Sequence, residues 1–135
     1  MPDSATILSV TGADAVTVLL FDRDNGVARR LWSSMPEVFS ASGQKPLTGA
    51  AWEFASDHLD PALISRGPDE LRAHFADHAT ILAEGISMIV NLPLVVDATC
   101  IGSVNCLYRN PAAPVDSTAL IPAASRWFRD SQPFA

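Results

Sequence analysis

The side chains of this 135-residue chain that could do chemistry fall into four groups. The first is basic. Lys45 is the single lysine, with Phe39 and Gly43 before it and Trp52 after it. A lysine among aromatics can hold an anionic group as a point charge. The plainer alternative is a solvated Lys45 and a Trp52 that simply packs, as helix aromatics usually do. Arg29 and Arg30 are further anion candidates. On an extended strand they point to opposite faces, with Ala28, Arg30 and Trp32 on one side and Val27, Arg29 and Leu31 on the other.

The second group is a pair of amides, Asn91 and Asn105, each alone in an apolar run. A buried amide without a partner costs about 1–3 kcal/mol. Each therefore either ties down a neighbouring loop or meets a ligand, and most buried polar groups are satisfied internally. The third group is His74 and His78, four apart, with Glu70 one turn earlier. On one helix that spacing can present two imidazoles to a metal. With only His58 as a third candidate, the pair reads better as helix histidines beside Glu70 or Asp77. The fourth group is Cys100 and Cys106. Cys100 has no basic neighbour in sequence to lower its pKa, and Asp97 acts against it. They are expected as free thiols, Cys100 the more exposed. The serines, such as Ser33-Ser34 and Ser87, show no nucleophile elbow and read as loop hydrogen-bonders. No catalytic residue and no metal site is assigned, no cofactor is named by the sequence, and the chain reads as a binding module more than an enzyme.

These groups need elements to position them. The organising stretch is Ser87–Tyr108. Met88–Val96 and Ile101–Tyr108 are too apolar for a sheet with one wet face, so both faces should be covered. With a turn near Asp97-Ala98-Thr99-Cys100 and Val96 opposite Ile101, Asn91 opposes Cys106 and Leu92 opposes Asn105. The two asparagines then face opposite sides. Val16–Phe21 and Val27–Trp32 flank Asn25-Gly26, a strong short hairpin signal. Ser33–Lys45 reads as a loop. Thr48 begins a helix to about Leu59, with Trp52, Phe54 and Ala55 on its apolar side, stopped by Asp60-Pro61. After a connection over 60–67, Pro68 opens a helix to Glu84, with Leu71, Phe75, Ala79 and Leu82 in one stripe over roughly 25 Å. Pro111 and Pro114 end the strand region. Asp116 or Ser117 caps a final helix, with Trp127 and Phe128 near its end. The order is strand, strand, helix, helix, strand, strand, helix: an α+β fold, an antiparallel sheet with helices packed on it. A single domain over residues 1–135 is expected, its core at about 16–108 and its C-terminal helix at about 116–130.

The formal net charge of −6 argues against nucleic acid and against an anionic membrane surface, both of which attract basic patches. No apolar run reaches the length of a membrane span. Met1-Pro2-Asp3-Ser4 lacks the basic and apolar parts of a secretory signal, so a cytoplasmic location is expected.

Gly85-Ile86-Ser87-Met88-Ile89-Val90-Asn91-Leu92-Pro93-Leu94, followed by Ile101-Gly102-Ser103-Val104-Asn105-Cys106-Leu107, resembles the closing half of a GAF domain. The Val16–Trp32 hairpin, the helix after Gly67, Ser33-Ser34, Gly43, Lys45-Pro46 and Trp52 extend that resemblance to stand-alone bacterial GAF proteins. The resemblance implies a GAF/PAS-like sandwich with a ligand pocket between the sheet and a helix-and-loop layer. It implies a sensory or regulatory role, a small-molecule ligand, organic or anionic, and a homodimer. The expected ligand-binding residues are Arg30, Phe39, Lys45, Trp52, Phe75, Met88 and Asn91. Two rivals stand beside it: a small cysteine-dependent redox enzyme of the methionine sulfoxide reductase type, and a ligand-free interaction or dimerisation module.

Overall fold

The computed structural model describes residues 4–47, 62–110 and 116–131. The expected helix from Thr48 to Leu59, with Trp52 and His58, lies outside the described residues. Among them, α1 spans Ser4–Thr11, β1 Ala15–Asp22, β2 Val27–Ser33, β3 Gln44–Pro46 and β4 Leu63–Arg66. They are followed by α2 Gly67–His74, α3 His78–Ala83, β5 Met88–Val96, β6 Thr99–Tyr108 and α4 Ser117–Asp130. The strands form one antiparallel sheet in the order β3-β2-β1-β6-β5-β4.

Four strands were expected and six are described. β3 and β4 fall in segments read as a loop and a connection. Both are short edge strands, and Gln44-Lys45-Pro46 has no β propensity of its own. The neighbouring strand holds it: Ala28 opposes Lys45 and Arg29 opposes Gln44.

The central hairpin also departs from expectation. Its turn is the two-residue Asp97-Ala98, both at positive φ (51° and 61°), and Val96 pairs with Thr99. A bulge beside Leu94 and Val95 then shifts the register by one. Asn91 comes directly opposite Asn105. The two amides share a face, contrary to expectation, because a one-residue slip transfers every side chain beyond it to the other side. The tighter turn also corrects the expected exposure of Cys100, which is inside strand β6 and fully buried.

Helices cover both faces. On one, α1 and α4 close over Val16, Val18, Val90, Leu92, Leu94, Val104 and Cys106. Asp116 caps α4 by accepting the Ala119 amide, and Ser125 accepts the Val95 amide at 3.1 Å. On the other face α2, α3 and the 34–43 loop pack Leu71, Ile81, Ile86 and Phe39 against Ala15, Ile89 and Leu107. The helix expected to run unbroken to Glu84 stops at His74. Phe75 is extended (φ −127°, ψ 123°), and a second helix restarts at His78. Leu71, Phe75 and Ile81 turn inward, while Ala79 is exposed.

Gly102 marks where β1 and β6 approach too closely for a side chain. A Cβ there would overlap the Leu19 carbonyl and sit 3.1 Å from the Leu20 Cα. At Gly26 the hairpin turn has φ +65°, which the Asn-Gly pair supplies without strain.

Candidate functional site

A cleft opens on the face covered by α2, α3 and the 34–43 loop. Its floor is the sheet. Thr17 and Leu19 of β1, Asn91 of β5 and Asn105 of β6 line it, with Phe39, Phe75, Ile81, Ile89 and Leu107 as apolar walls. The inner chamber has a volume of about 30 Å³. The mouth, between β3 and the break after α2, has a volume of about 340 Å³ and is lined by Arg30, Gly43, Lys45, Pro46, Ala76 and Asp77. The mouth falls within the size range of small-molecule sites, whereas the chamber is water-sized.

Arg30 reaches this cleft because of a bulge. Leu19 opposes Arg30 and Val18 opposes Trp32, which leaves Leu31 unmatched. Strict alternation puts Arg30 and Trp32 on one face, as the sequence suggested. The extra residue instead sends Arg30 to the cleft face and Trp32 to the other. There Trp32 packs on Trp127, with ring centroids 5.4 Å apart. Arg29 points away, bonded to Gln44 and Asp22.

Lys45 shares the face of Ala28 and Arg30 through the β2–β3 ladder. Its Nζ lies 3.2 Å from Asp77 Oδ1 and 5.8 Å from the centre of the Phe75 ring. The helix break makes both contacts possible by turning Phe75 inward and bringing Asp77 over the mouth.

The floor is a polar relay in an apolar surround. Asn91 Nδ2 donates to Asn105 Oδ1 at 2.7 Å, and Ser103 Oγ donates to the same oxygen at 2.8 Å. Asn105 Nδ2 donates in turn to Thr17 Oγ1 at 3.1 Å. Asn105 is thus satisfied, but Asn91 is not: its Oδ1 is buried with no hydrogen-bond partner among the described residues. Arg30 Nε is buried and unpartnered in the same sense, although Arg30 Nη1 donates to the Ser40 carbonyl at 3.2 Å. Burial draws the Arg30 guanidinium below its usual pKa, and the nearby Asp77 carboxylate partly restores it. The residues that carry this unmet acceptor and this unmet donor, Asn91 and Arg30, therefore line one cleft. Its described charged groups, Arg30, Lys45 and Asp77, sum to one positive charge in a chain of net charge −6.

Of the residues proposed from sequence, Arg30, Phe39, Lys45, Phe75 and Asn91 lie together in this cleft. Met88 does not. It is 5% exposed on the opposite face, in the α1/α4 core, because β5 alternates and Asn91 and Met88 differ by an odd number of positions. Trp52 is outside the described residues. Asp77 and Thr17 were missed. An unbroken helix gives Asp77 no reason to face the sheet, and Thr17 reads simply as a strand residue. Asn105 becomes part of the floor only with the observed register.

The other candidate chemistries find no support. His74 ends α2, with Nδ1 2.7 Å from Ser65 Oγ, while His78 begins α3, so they do not share a helix. Among the described residues no three His, Cys, Asp or Glu side chains group as a metal site. Glu70 accepts the Arg66 amide and Asp77 pairs with Lys45. Both cysteines are buried free thiols. Burial pushes the Cys106 thiol up to about 12, which leaves little thiolate at neutral pH. Ser34 Oγ accepts the Val16 amide and Ser87 Oγ donates to the Arg109 carbonyl, as loop-tying serines do. No described helix is long and apolar enough to cross a membrane.

No protein-family model and no curated protein sequence matches the chain. Solved structures do. The GAF domain/HD domain protein of Geobacter sulfurreducens superposes with a TM-score of 0.65 at 18% identity, over 97% of this chain and 90% of that one. The GAF domain of a two-component sensor histidine kinase from Bacillus halodurans gives 0.64 at 10% identity, over 96% of both chains. The second GAF domain of DevS from Mycobacterium smegmatis gives 0.57 at 15% identity, over 95% of this chain and 89% of that one. With its six-stranded antiparallel sheet and helices on both faces, this chain has the GAF-domain fold.

Proposed function

We propose that this domain is a sensory module that binds a small organic molecule with an anionic group in the cleft between the sheet and the α2–α3 layer. The observation that carries the reading is that two residues lining one cleft, Arg30 and Asn91, each carry a buried polar atom with no partner among the described residues, Nε and Oδ1. A core that existed only to pack would gain from an apolar residue at Asn91, since an unmet buried group costs about 1–3 kcal/mol. A ligand offering an acceptor to Arg30 and a donor to Asn91 removes both penalties. Phe39, Phe75 and Lys45 complete the wall. The sensory role is supported by the fold's company, which includes a domain of a two-component sensor histidine kinase. The proposal extends to a cytoplasmic homodimer that uses neither membrane nor nucleic acid as a partner.

The test is a thermal-shift screen of the purified protein against a metabolite library. A ligand at a hundred times its Kd should stabilise by about 2.7 kcal/mol, several degrees for a domain of this size. The shift should vanish in Arg30→Gln and Asn91→Leu. Sedimentation of the same sample reads the dimer. The water-sized inner chamber favours one rival, an interaction module with a filled core. That rival is upheld, and the sensory reading lost, if no compound stabilises the protein and no small molecule co-purifies.

A further inference from the structure

We infer that the cleft selects a compact monocarboxylate that brings its own hydrogen-bond donor; the inference rests on the cleft being a ligand site. Charge is the first reason. Among the described lining residues Arg30 and Lys45 are cationic, and Asp77 already offsets one of them through its 3.2 Å contact with Lys45. One positive charge is left. A monoanion brings the cleft to neutrality. A phosphomonoester, a dianion, leaves a surplus negative charge beside Asp77 against apolar walls, where screening is weaker than in water.

Hydrogen bonding is the second reason. Arg30 Nε is an unmet donor, suited to a carboxylate oxygen by a charge-assisted bond. Asn91 Oδ1 is an unmet acceptor on a side chain 7% exposed. It faces no ligand carboxylate productively, because two acceptors repel. It calls for an N–H or O–H from the ligand. The inner chamber of about 30 Å³ admits one group of that size, an uncharged one such as a hydroxyl.

Size is the third reason. The mouth, at about 340 Å³, has room for about ten water-sized groups. That is ample for a hydroxy acid with a short apolar body lying against Leu19 while its donor reaches the inner chamber.

The experiment is calorimetric titration of the unmodified protein with a set of hydroxy monocarboxylates of differing carboxylate-to-donor spacing. Each is paired with its carboxamide, with its deoxy or methoxy counterpart, and with a phosphomonoester of like size. A member of the acid set should bind at least about tenfold more tightly than its carboxamide and than its donor-free counterpart, with the phosphomonoester weaker still. Asp77→Asn, which removes the offsetting charge, should narrow the gap to the phosphomonoester. These comparisons on the unmodified protein do not depend on any variant folding. If the carboxamide, the donor-free acid or the phosphomonoester binds as well as the acid, the inference fails and the ligand site stands. The same holds if the acids do not bind but a different library compound does. If nothing binds, both fall.

Discussion

Asn91 and Asn105 are the same residue type, face to face across β5 and β6, and their replacement should have very different costs. Asn105 accepts from Asn91 and from Ser103 and donates to Thr17. Asn105→Leu strands three buried polar groups at once. At about 1–3 kcal/mol for each group left without a partner, and allowing the Ser103 and Thr17 hydroxyls to rotate toward other acceptors, the loss is roughly 3–4 kcal/mol. Asn91→Leu differs. It removes one bond to an oxygen that still accepts from Ser103, and with it the unmet Oδ1. Side-chain volume is nearly kept, so the net change should lie within about 1 kcal/mol of zero, and of either sign. Urea denaturation of the two variants in the absence of ligand measures both. The expected result is a large drop in midpoint for Asn105→Leu, corresponding to roughly 10 °C in Tm, and little change for Asn91→Leu. Equal losses would refute the reasoning, because the described hydrogen bonds would not then decide the energetics of the floor. The pair also separates stability from function. On the proposed reading Asn91→Leu folds as well as the parent yet loses ligand-induced stabilisation.

Gly102→Ala should cost roughly 3 kcal/mol or more, since the Leu19 carbonyl it meets is backbone and cannot swing aside; an unchanged urea midpoint counts against that close approach. Ala98→Gly should stabilise by about 0.5–1 kcal/mol by relieving an alanine at φ 61°, read as a rise in the same midpoint; a fall would mean the turn is not left-handed. Stability should also fall at alkaline pH. Burial raises the Cys106 pKa from 9.0 to about 12 in the folded state, so its contribution is intact below pH 9 and is lost as pH rises from 9 towards 12, by up to about 1.4 kcal/mol per pH unit. Tyr108, also raised by burial, adds to the loss in the same direction above about pH 10. Cys106→Ala should flatten the lower part of that slope, and a parent protein equally stable at pH 9 and 11 would contradict the burial of both groups.

What sequence could reveal here was pattern, and what it concealed was single-residue irregularity. The β-branched run Val16–Phe21, the Asn-Gly turn and the apolar run Met88–Val96 carry the central strands because propensity and apolar content agree there. The α4 cap at Asp116 is equally legible, a side-chain oxygen three residues before the amide it accepts. Five cleft residues were reachable as residue types: one lysine, an arginine, two aromatics and an amide in an apolar strand. Their faces were harder. The bulge at Leu31 and the one near Leu94 each insert one residue, and nothing in hydrophobic content marks where. One slip mispaired Asn91 with Cys106 and hid its partnership with Asn105. Alternation from Asn91 places Met88 on the opposite face, in the α1/α4 core. The edge strands β3 and β4 have no apolar period, because paired backbone, more than side-chain burial, defines them.

The same irregularities make the cleft. A flat run of β2 against one unbroken helix would close over the sheet and leave Arg30 and Asp77 nowhere to meet. The Leu31 bulge turns Arg30 inward, and the break at Phe75 turns Asp77 toward Lys45 on the edge strand. The mouth is then bridged by one ion pair whose side chains remain 28% and 32% exposed. A pair so exposed contributes no more than about 1 kcal/mol. On the proposed reading that pair stays in place and leaves Arg30, which the bulge turns inward, as the uncompensated cation of the cleft.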